Sequence, residues 1–296
     1  MPADLRALTL DLVAESAWLG ATLADLAEEQ WQLPTPAEGW TIADQVSHLA
    51  YFDETTLLSI RDPERFRREA AALTARGDDF PDQVAAEYRH LSPAELQLWF
   101  RTGRRALLAG YADADPGARL PWYGLDMGPA SSITARLMET WAHGQDIADA
   151  LGIRRPATSR LRHVAHLSIR SLPYSYAVKG LPQPDAPIRV ELAAPGGGEW
   201  TWGPEGAANR VSGTALDFCL VVTQRRHRSD TGLVITGDTA AQWIGIAQAF
   251  AGAAGRGRKP LSTGGATTGA GPSAAVGAPA GRSPAGSPAP RRGEPA

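Results

Sequence analysis

The sequence has little cysteine, no excess of basic charge and no long apolar run. One cysteine in 296 residues excludes an intramolecular disulfide framework and a zinc finger. The formal net charge of -3 at pH 7 gives no basic field for nucleic acid. No signal peptide is visible, and no apolar run approaches the length that spans a bilayer. We therefore expect a cytoplasmic protein that binds neither nucleic acid nor a membrane, and the sequence does not indicate its oligomeric state.

The single cysteine, Cys219, has apolar neighbours in Phe218, Leu220 and Val221. No histidine or cationic residue lies next to it to lower the pKa of the thiol. The sequence therefore predicts a buried, inert thiol rather than a nucleophile.

Residues 1–180 have the pattern of an up-down helix bundle. Leucines recur at helical spacing from Leu5 to Leu26, and Thr41 followed by Asp44 is a capping-box pattern that begins a second helix. Another helix is expected from about residue 130 to 150, whereas the Arg-rich stretch from about 61 to 78 has the character of a polar connection. Short connections between helices favour antiparallel packing.

The rest of the chain changes pattern twice. Residues 181–255 alternate apolar and polar side chains in short runs, as in Ile188 to Leu192, and predict a small α+β domain. Residues 256–296 consist largely of Gly, Ala, Pro, Ser and Thr without an aromatic residue. Such a segment cannot offset the entropy of ordering, so a disordered tail without a catalytic role is expected.

The residues that carry chemistry are Glu139 and His143, four apart on a predicted helix, and His48 on an earlier helix. Together they form a His/Glu/His set that leaves positions open for water or substrate, as in catalytic metal sites. The competing interpretation is an ordinary Glu-His pair on a helix surface. His163 and His166, three apart on a later helix, are weaker candidate ligands because arginines flank them.

Two aspartates are candidates to orient these ligands. Asp44 precedes His48 by one turn and Asp146 follows His143 by three residues. Each carboxylate is placed to accept the imidazole N–H that does not face the metal. For Asp44, capping of the helix is the alternative role.

Three segments resemble the mycothiol-dependent maleylpyruvate isomerase family of the DinB-like superfamily. They are Gly39 to Leu49, Leu137 to Gly144, and Thr236 to Trp243. The resemblance covers residues 4 to about 253 and is closest to actinobacterial members without an assigned substrate. It implies a DinB-like helix bundle followed by a small α/β domain similar to sterol carrier proteins. It also implies a divalent metal, usually taken as zinc, held by His48, Glu139 and His143.

The resemblance further implies a thiol cofactor, mycothiol, and an arginine of the C-terminal domain that contributes to activity. A divalent cation lowers the pKa of a bound thiol, and an arginine can hold a substrate carboxylate. The candidates are Arg225 and Arg226, between which the sequence does not decide. Their alternative role is a cationic helix C-terminus that interacts with the helix dipole.

Three hypotheses about function follow. The first is a mycothiol-dependent metalloenzyme, a transferase or isomerase that acts on a small electrophile, with Trp122 and Tyr123 covering the metal or packing between the domains. The second is a metal-binding or small-ligand-binding protein without turnover. The third arises because the region around Arg226 to Ala247 resembles a segment of tRNA wyosine-modification proteins, although the acidic net charge argues against tRNA binding.

Overall fold

The computed structural model describes residues 4–124 and 126–261. Its helices lie almost entirely in the first 180 residues, and its strands follow them. In the described part the helices are α1 (Leu5–Ala24), α2 (Ile42–Arg61), α3 (Pro63–Thr74), α4 (Phe80–Glu87), α5 (Pro93–Asp113), α6 (Pro129–Ala150), α7 (Leu161–Arg170), α8 (Leu172–Ala177), α9 (Ala215–Val222) and α10 (Asp238–Ile246), and the strands are β1 (Ile188–Ala193), β2 (Glu199–Trp202), β3 (Asn209–Thr214) and β4 (Val234–Thr236).

Four long helices, α1, α2, α5 and α6, pack against one another as a bundle. The capping box predicted at the start of α2 is present: the Thr41 N–H donates to Asp44 Oδ2 at 2.8 Å, and the Asp44 N–H donates to Thr41 Oγ1 at 3.3 Å. The box satisfies two of the donors left without partners at a helix start. It fixes where α2 begins and therefore where His48 lies along it.

The prediction of a polar connection at residues 61–78 was wrong, because Pro63–Thr74 form α3. Asp62 caps this helix by accepting the Arg65 N–H at 3.0 Å, and Pro63 occupies its first turn. Only Phe66 and Leu73 of α3 are buried. The arginines and glutamates in its first half give the segment the composition of a polar connection, although Phe66 and Leu73 recur at helical spacing.

The C-terminal part is a four-stranded mixed sheet in the order β2-β1-β3-β4. β1 runs parallel to β3, and the two outer pairs are antiparallel. α9 and α10 pack on this sheet. The sequence did not predict β3, in which Val211 alone is fully buried and Gly213 interrupts the alternation.

One of two apolar clusters of the described residues spans the helices and the sheet, since Leu137 and Trp141 of α6 belong to it together with Phe218 of α9 and Trp243 of α10. The predicted helical part followed by a small sheet with helices is therefore confirmed. The finer DinB-like and sterol-carrier-like assignments stay predictions, as does a domain boundary at residue 180.

The start of the predicted tail lies against this body. The Arg258 guanidinium donates to Asp146 at 2.7 Å, and the Leu261 N–H donates to Asp230 at 2.9 Å. The remainder of that prediction, residues 262–296, lies outside the described residues.

α1 is long and apolar enough to cross a membrane by length and composition, which the sequence analysis did not anticipate. α1 packs against α6, and its residues Leu12, Glu15 and Leu19 are buried. Core helices of bundles have the same length and apolar composition, so these two properties of α1 do not by themselves indicate a membrane span.

Candidate metal centre

The structure brings His48, Glu139 and His143 together where α2 packs on α6. One ligand atom from each side chain lies within 4.8 Å of the others. Both histidines present Nε2 to the same carboxylate oxygen, Glu139 Oε2, at 3.9 Å for His48 and 3.1 Å for His143. Two nitrogens and one carboxylate oxygen thus converge on a single point.

Burial and mutual contact determine the protonation states of His48 and Glu139. Burial lowers the pKa of His48 to about 4, and the nearby His143 adds to this effect. Burial acts to raise the pKa of Glu139, but the two histidines outweigh it and hold that pKa well below its ordinary value. At neutral pH His48 is therefore neutral and Glu139 ionised, the forms in which these groups bind metals.

Gln45, a fully buried residue that sequence reasoning missed, sets the tautomer of His143. Its Nε2 donates to Thr35 Oγ1 at 2.9 Å, and that hydroxyl donates to the Trp40 carbonyl at 2.9 Å. The amide orientation is thereby fixed, so Gln45 Oε1 is the group that faces His143 Nδ1 and accepts its proton. The only sign of this role in the sequence is that Gln45 lies three residues before the candidate ligand His48.

This network leaves His143 Nε2 as a lone-pair acceptor opposite the carboxylate of Glu139. Two acceptors 3.1 Å apart repel each other unless a cation, a proton or a metal ion, lies between them. The donor set of two imidazoles and one carboxylate matches zinc in catalytic sites, which keep a position open. The residues present therefore fit a divalent metal.

Neither aspartate predicted to orient the histidines contacts them. Asp44 accepts instead from Thr41 and from Arg89 Nε at 2.9 Å, so its capping role prevails. Asp146 accepts from Arg225 and Arg258. Among the described residues, His48 Nδ1 is buried without a hydrogen-bond partner.

The three side chains line a cavity of about 540 Å³, and aromatic side chains form one part of its wall. The Trp40 ring stacks on His143 with centroids 5.9 Å apart, and Phe52 lies 4.6 Å from the His48 ring. Trp122 and Tyr123 line the same cavity and also pack around Phe66 of α3. These aromatic contacts lie within the helical part, so covering of a metal and packing between the domains both stay predictions.

The structure places the two candidate arginines, Arg225 and Arg226, at different cavities. Gln224 adopts a left-handed conformation with φ of 60° after α9, which turns the chain back towards α6. Arg225 then pairs with Asp146 at 2.8 Å and lines the cavity of the histidines. Arg226 pairs with Asp149 at 2.6 Å and borders a different cavity.

The remaining sequence candidates lie elsewhere. Cys219 is fully buried, and burial raises the pKa of its thiol, in agreement with the inert role predicted. His163 Nε2 contacts Asp11 at 2.7 Å, and His166 accepts from Trp202 Nε1 at 3.4 Å. Neither histidine faces the His48, Glu139 and His143 cluster.

Comparisons with known proteins agree with the fold. Residues 12–148 match the family model described as the mycothiol maleylpyruvate isomerase N-terminal domain. Two crystal structures of a mycothiol-dependent maleylpyruvate isomerase, one of a mutant form, superpose with TM-scores of 0.55 and 0.54. They are 15% identical to this chain, and the match covers 80% of this chain and 94% of theirs. The chain belongs to the mycothiol-dependent maleylpyruvate isomerase family.

Within that family it fits the members whose substrate is unassigned. It is 47% identical over 256 residues to the uncharacterised protein Rv0036c of Mycobacterium tuberculosis, covering 86% of this chain and 100% of the relative. The counterpart in a second strain, MT0041, matches equally. Residues 184–233 also match a family model described as wyosine base formation, which overlaps the segment expected from the sequence only at residues 226–233.

Proposed function

We propose that the protein binds one divalent metal ion, zinc, through His48, Glu139 and His143, and uses mycothiol to isomerise a small electrophile or to transfer a group to it. The observation that supports this most is the convergence of two imidazole nitrogens and one carboxylate on a cavity whose described lining residues include no thiol. Among the described residues that line it there is no cysteine, serine, threonine or lysine. An external thiol would fill that role.

When bound, a divalent metal lowers the pKa of a coordinated thiol and so supplies a nucleophile at neutral pH. The residues of the chain do the rest. Gln45 holds the Nδ1 proton of His143, so the ring keeps Nε2 unprotonated and aimed at the cluster. Hydrogen bonds of this kind behind a metal ligand set its orientation and basicity.

Arg225 is the proposed binding group for an anionic part of the substrate. A guanidinium has five N–H donors, and Arg225 uses three of them, two to Asp146 at 3.1 and 2.8 Å and one to the Thr223 carbonyl at 2.7 Å. The pairing with buried Asp146 fixes the side chain, and donors remain for a carboxylate or enolate oxygen. Arg226, which borders a different cavity, is not assigned this role.

The aromatic wall limits access of water to the reacting groups. Trp40, Phe52, Phe80, Trp122 and Tyr123 all line the cavity. Electrostatic interactions strengthen where water is excluded, so the same wall favours a thiolate held next to a cation. An electrophile with a flat, unsaturated carbon skeleton suits such a surface.

The proposal is tested with the cobalt-substituted full-length protein. Titration with mycothiol should produce a thiolate-to-metal charge-transfer band, and Cys219→Ala should give the same band because the thiol is external. Arg225→Gln should keep the band and lose turnover of the electrophile. Absence of the band with mycothiol and with other low-molecular-weight thiols would contradict the enzyme proposal and leave a metal-binding or small-ligand-binding protein.

A further inference from the structure

A second cavity, of about 560 Å³, lies beside the segment that follows α10. Six of its eighteen lining residues are lysine or arginine, and no aspartate or glutamate of the described residues takes part in it. The cationic residues are Lys179, Arg226, Arg228, Arg256, Arg258 and Lys259. A protein with a net charge of -3 thus concentrates positive charge in one concave place.

The lysines make this concentration unusual. Lys179 and Lys259 are the only lysines in the sequence, and both line this cavity. All other Lys or Arg positions are arginines, several of which form buried ion pairs in the bundle, such as Arg104 with Asp53 at 2.6 Å. Lysine acts as a compact point charge and is a common phosphate ligand, whereas arginine suits fixed pairs.

Most of this positive charge is not neutralised within the described residues. Asp149 pairs with Arg226, but Asp146 is shared between Arg225 and Arg258. Lys179 donates to a neutral carbonyl, that of Gly255, at 3.1 Å.

A further acidic residue near these cations, Glu38, forms only a weak ion pair. Arg256 lies 3.6 Å from Glu38, but both side chains are 92% exposed. An ion pair so exposed contributes almost nothing. An excess of positive charge therefore remains for a ligand to neutralise.

The excess of positive charge also affects Arg258, whose Nε atom is buried. Its Nε is buried and makes no hydrogen bond in the described part of the chain. Burial lowers the pKa of Arg258, and the charges of Arg225 and Arg226 lower it further against the opposing effect of Asp146 and Asp149. A buried donor without a partner beside like charges is costly, and a bound anion would relieve both effects.

We propose that this cavity binds a small phosphate-bearing molecule, at a site separate from the metal centre. Its volume, about 560 Å³, lies in the usual range for small-molecule pockets, about 300 to 1,000 Å³. A small ligand is favoured over RNA because the charge is confined to one cavity, whereas nucleic-acid surfaces carry an extended basic field. The site therefore binds a phosphate group by charge rather than tracking a polymer backbone.

The test is calorimetric titration of the full-length protein with inorganic phosphate at low salt. Arg228 and Lys259 are exposed, so the double variant Arg228→Gln/Lys259→Gln should fold normally. Its affinity for phosphate should fall about tenfold or more, as expected for loss of charge-assisted hydrogen bonds. Arg101→Gln/Arg105→Gln, which removes the same charge from exposed positions on α5, should stay within about twofold of the wild type.

Two further measurements distinguish a separate phosphate site from phosphate binding at the metal centre and from tRNA binding. Glu139→Ala should bind phosphate as the wild type does, because the anion is not held at the metal; loss of binding in that variant would overturn the separate site. No saturable binding, or equal weakening in both double variants, would also overturn it. The protein could also bind tRNA. If phosphate did not displace that tRNA and Arg228→Gln/Lys259→Gln did not weaken its binding, the phosphate site would again be overturned.

Discussion

Replacing Gln45 with leucine should weaken metal binding without unfolding the protein. Gln45 is fully buried and accepts the Nδ1 proton of His143 while its amide nitrogen donates to Thr35. Leucine removes the acceptor at similar volume. His143 is then free to carry its proton on Nε2, the nitrogen that faces Glu139, and that tautomer has no lone pair on Nε2 with which to bind a metal beside Glu139.

The magnitude follows from the two hydrogen bonds of Gln45 that leucine cannot make. Loss of a partner behind a metal-binding histidine typically lowers metal affinity about 10- to 100-fold, which is roughly 1.4 to 2.8 kcal/mol. The folded state also loses the hydrogen bond to Thr35, worth about 1 kcal/mol. Thermal unfolding of the metal-free variant should therefore shift by only a few degrees, about 2 to 4 °C per kcal/mol in a protein of this size.

The assay is a competitive zinc titration against a chromophoric chelator. Gln145→Leu is the matched control, because Gln145 is a buried glutamine on the same helix as His143 whose amide donates to Asp149 at 3.0 Å. Gln45→Glu retains an acceptor for the Nδ1 proton and should bind zinc at least as tightly as the wild type. A folded Gln45→Leu protein with unchanged zinc affinity would refute the assigned tautomer.

Three further results are expected. Asp53→Asn should destabilise the metal-free protein by about 3 to 5 kcal/mol in urea, because fully buried Asp53 pairs with both Arg104 and Arg136; a loss below about 1 kcal/mol would show that the pairs are not what holds this region. A chain ending at residue 257 should melt below one ending at residue 261, because it lacks the Arg258 ion pair with buried Asp146; equal melting temperatures would count against that ion pair. Arg226→Gln should retain the activity that Arg225→Gln loses, and the reverse order in a turnover assay would exchange their roles.

Sequence reasoning succeeds here where a feature is local. The Thr41 and Asp44 capping box depends on residues three apart, and the spacing of Glu139 and His143 places them on one face of a helix. Both were predicted correctly because the geometry of a single helix decides them. The buried, inert character of Cys219 likewise follows from its immediate neighbours.

The features that were missed depend on interactions between distant segments. Gln45 and His143 are 98 residues apart, and nothing near either residue indicates that one orients the other. Asp146 was misassigned for the same reason, since its partners Arg225 and Arg258 lie 79 and 112 residues away. α3 was missed because its arginines and glutamates give it the composition of a polar connection, and β3 because a glycine interrupts its alternation.

The central claim is a metal centre built by His48, Glu139 and His143, and metal stoichiometry tests it most directly. The wild-type protein, purified and loaded with zinc, should retain one ion per chain by elemental analysis after dialysis. His48→Ala, Glu139→Ala and His143→Ala should each lose it, whereas His166→Ala, which removes an exposed histidine that contacts Trp202, should retain it. Unchanged stoichiometry in the three ligand variants, or loss in His166→Ala alone, would contradict the account.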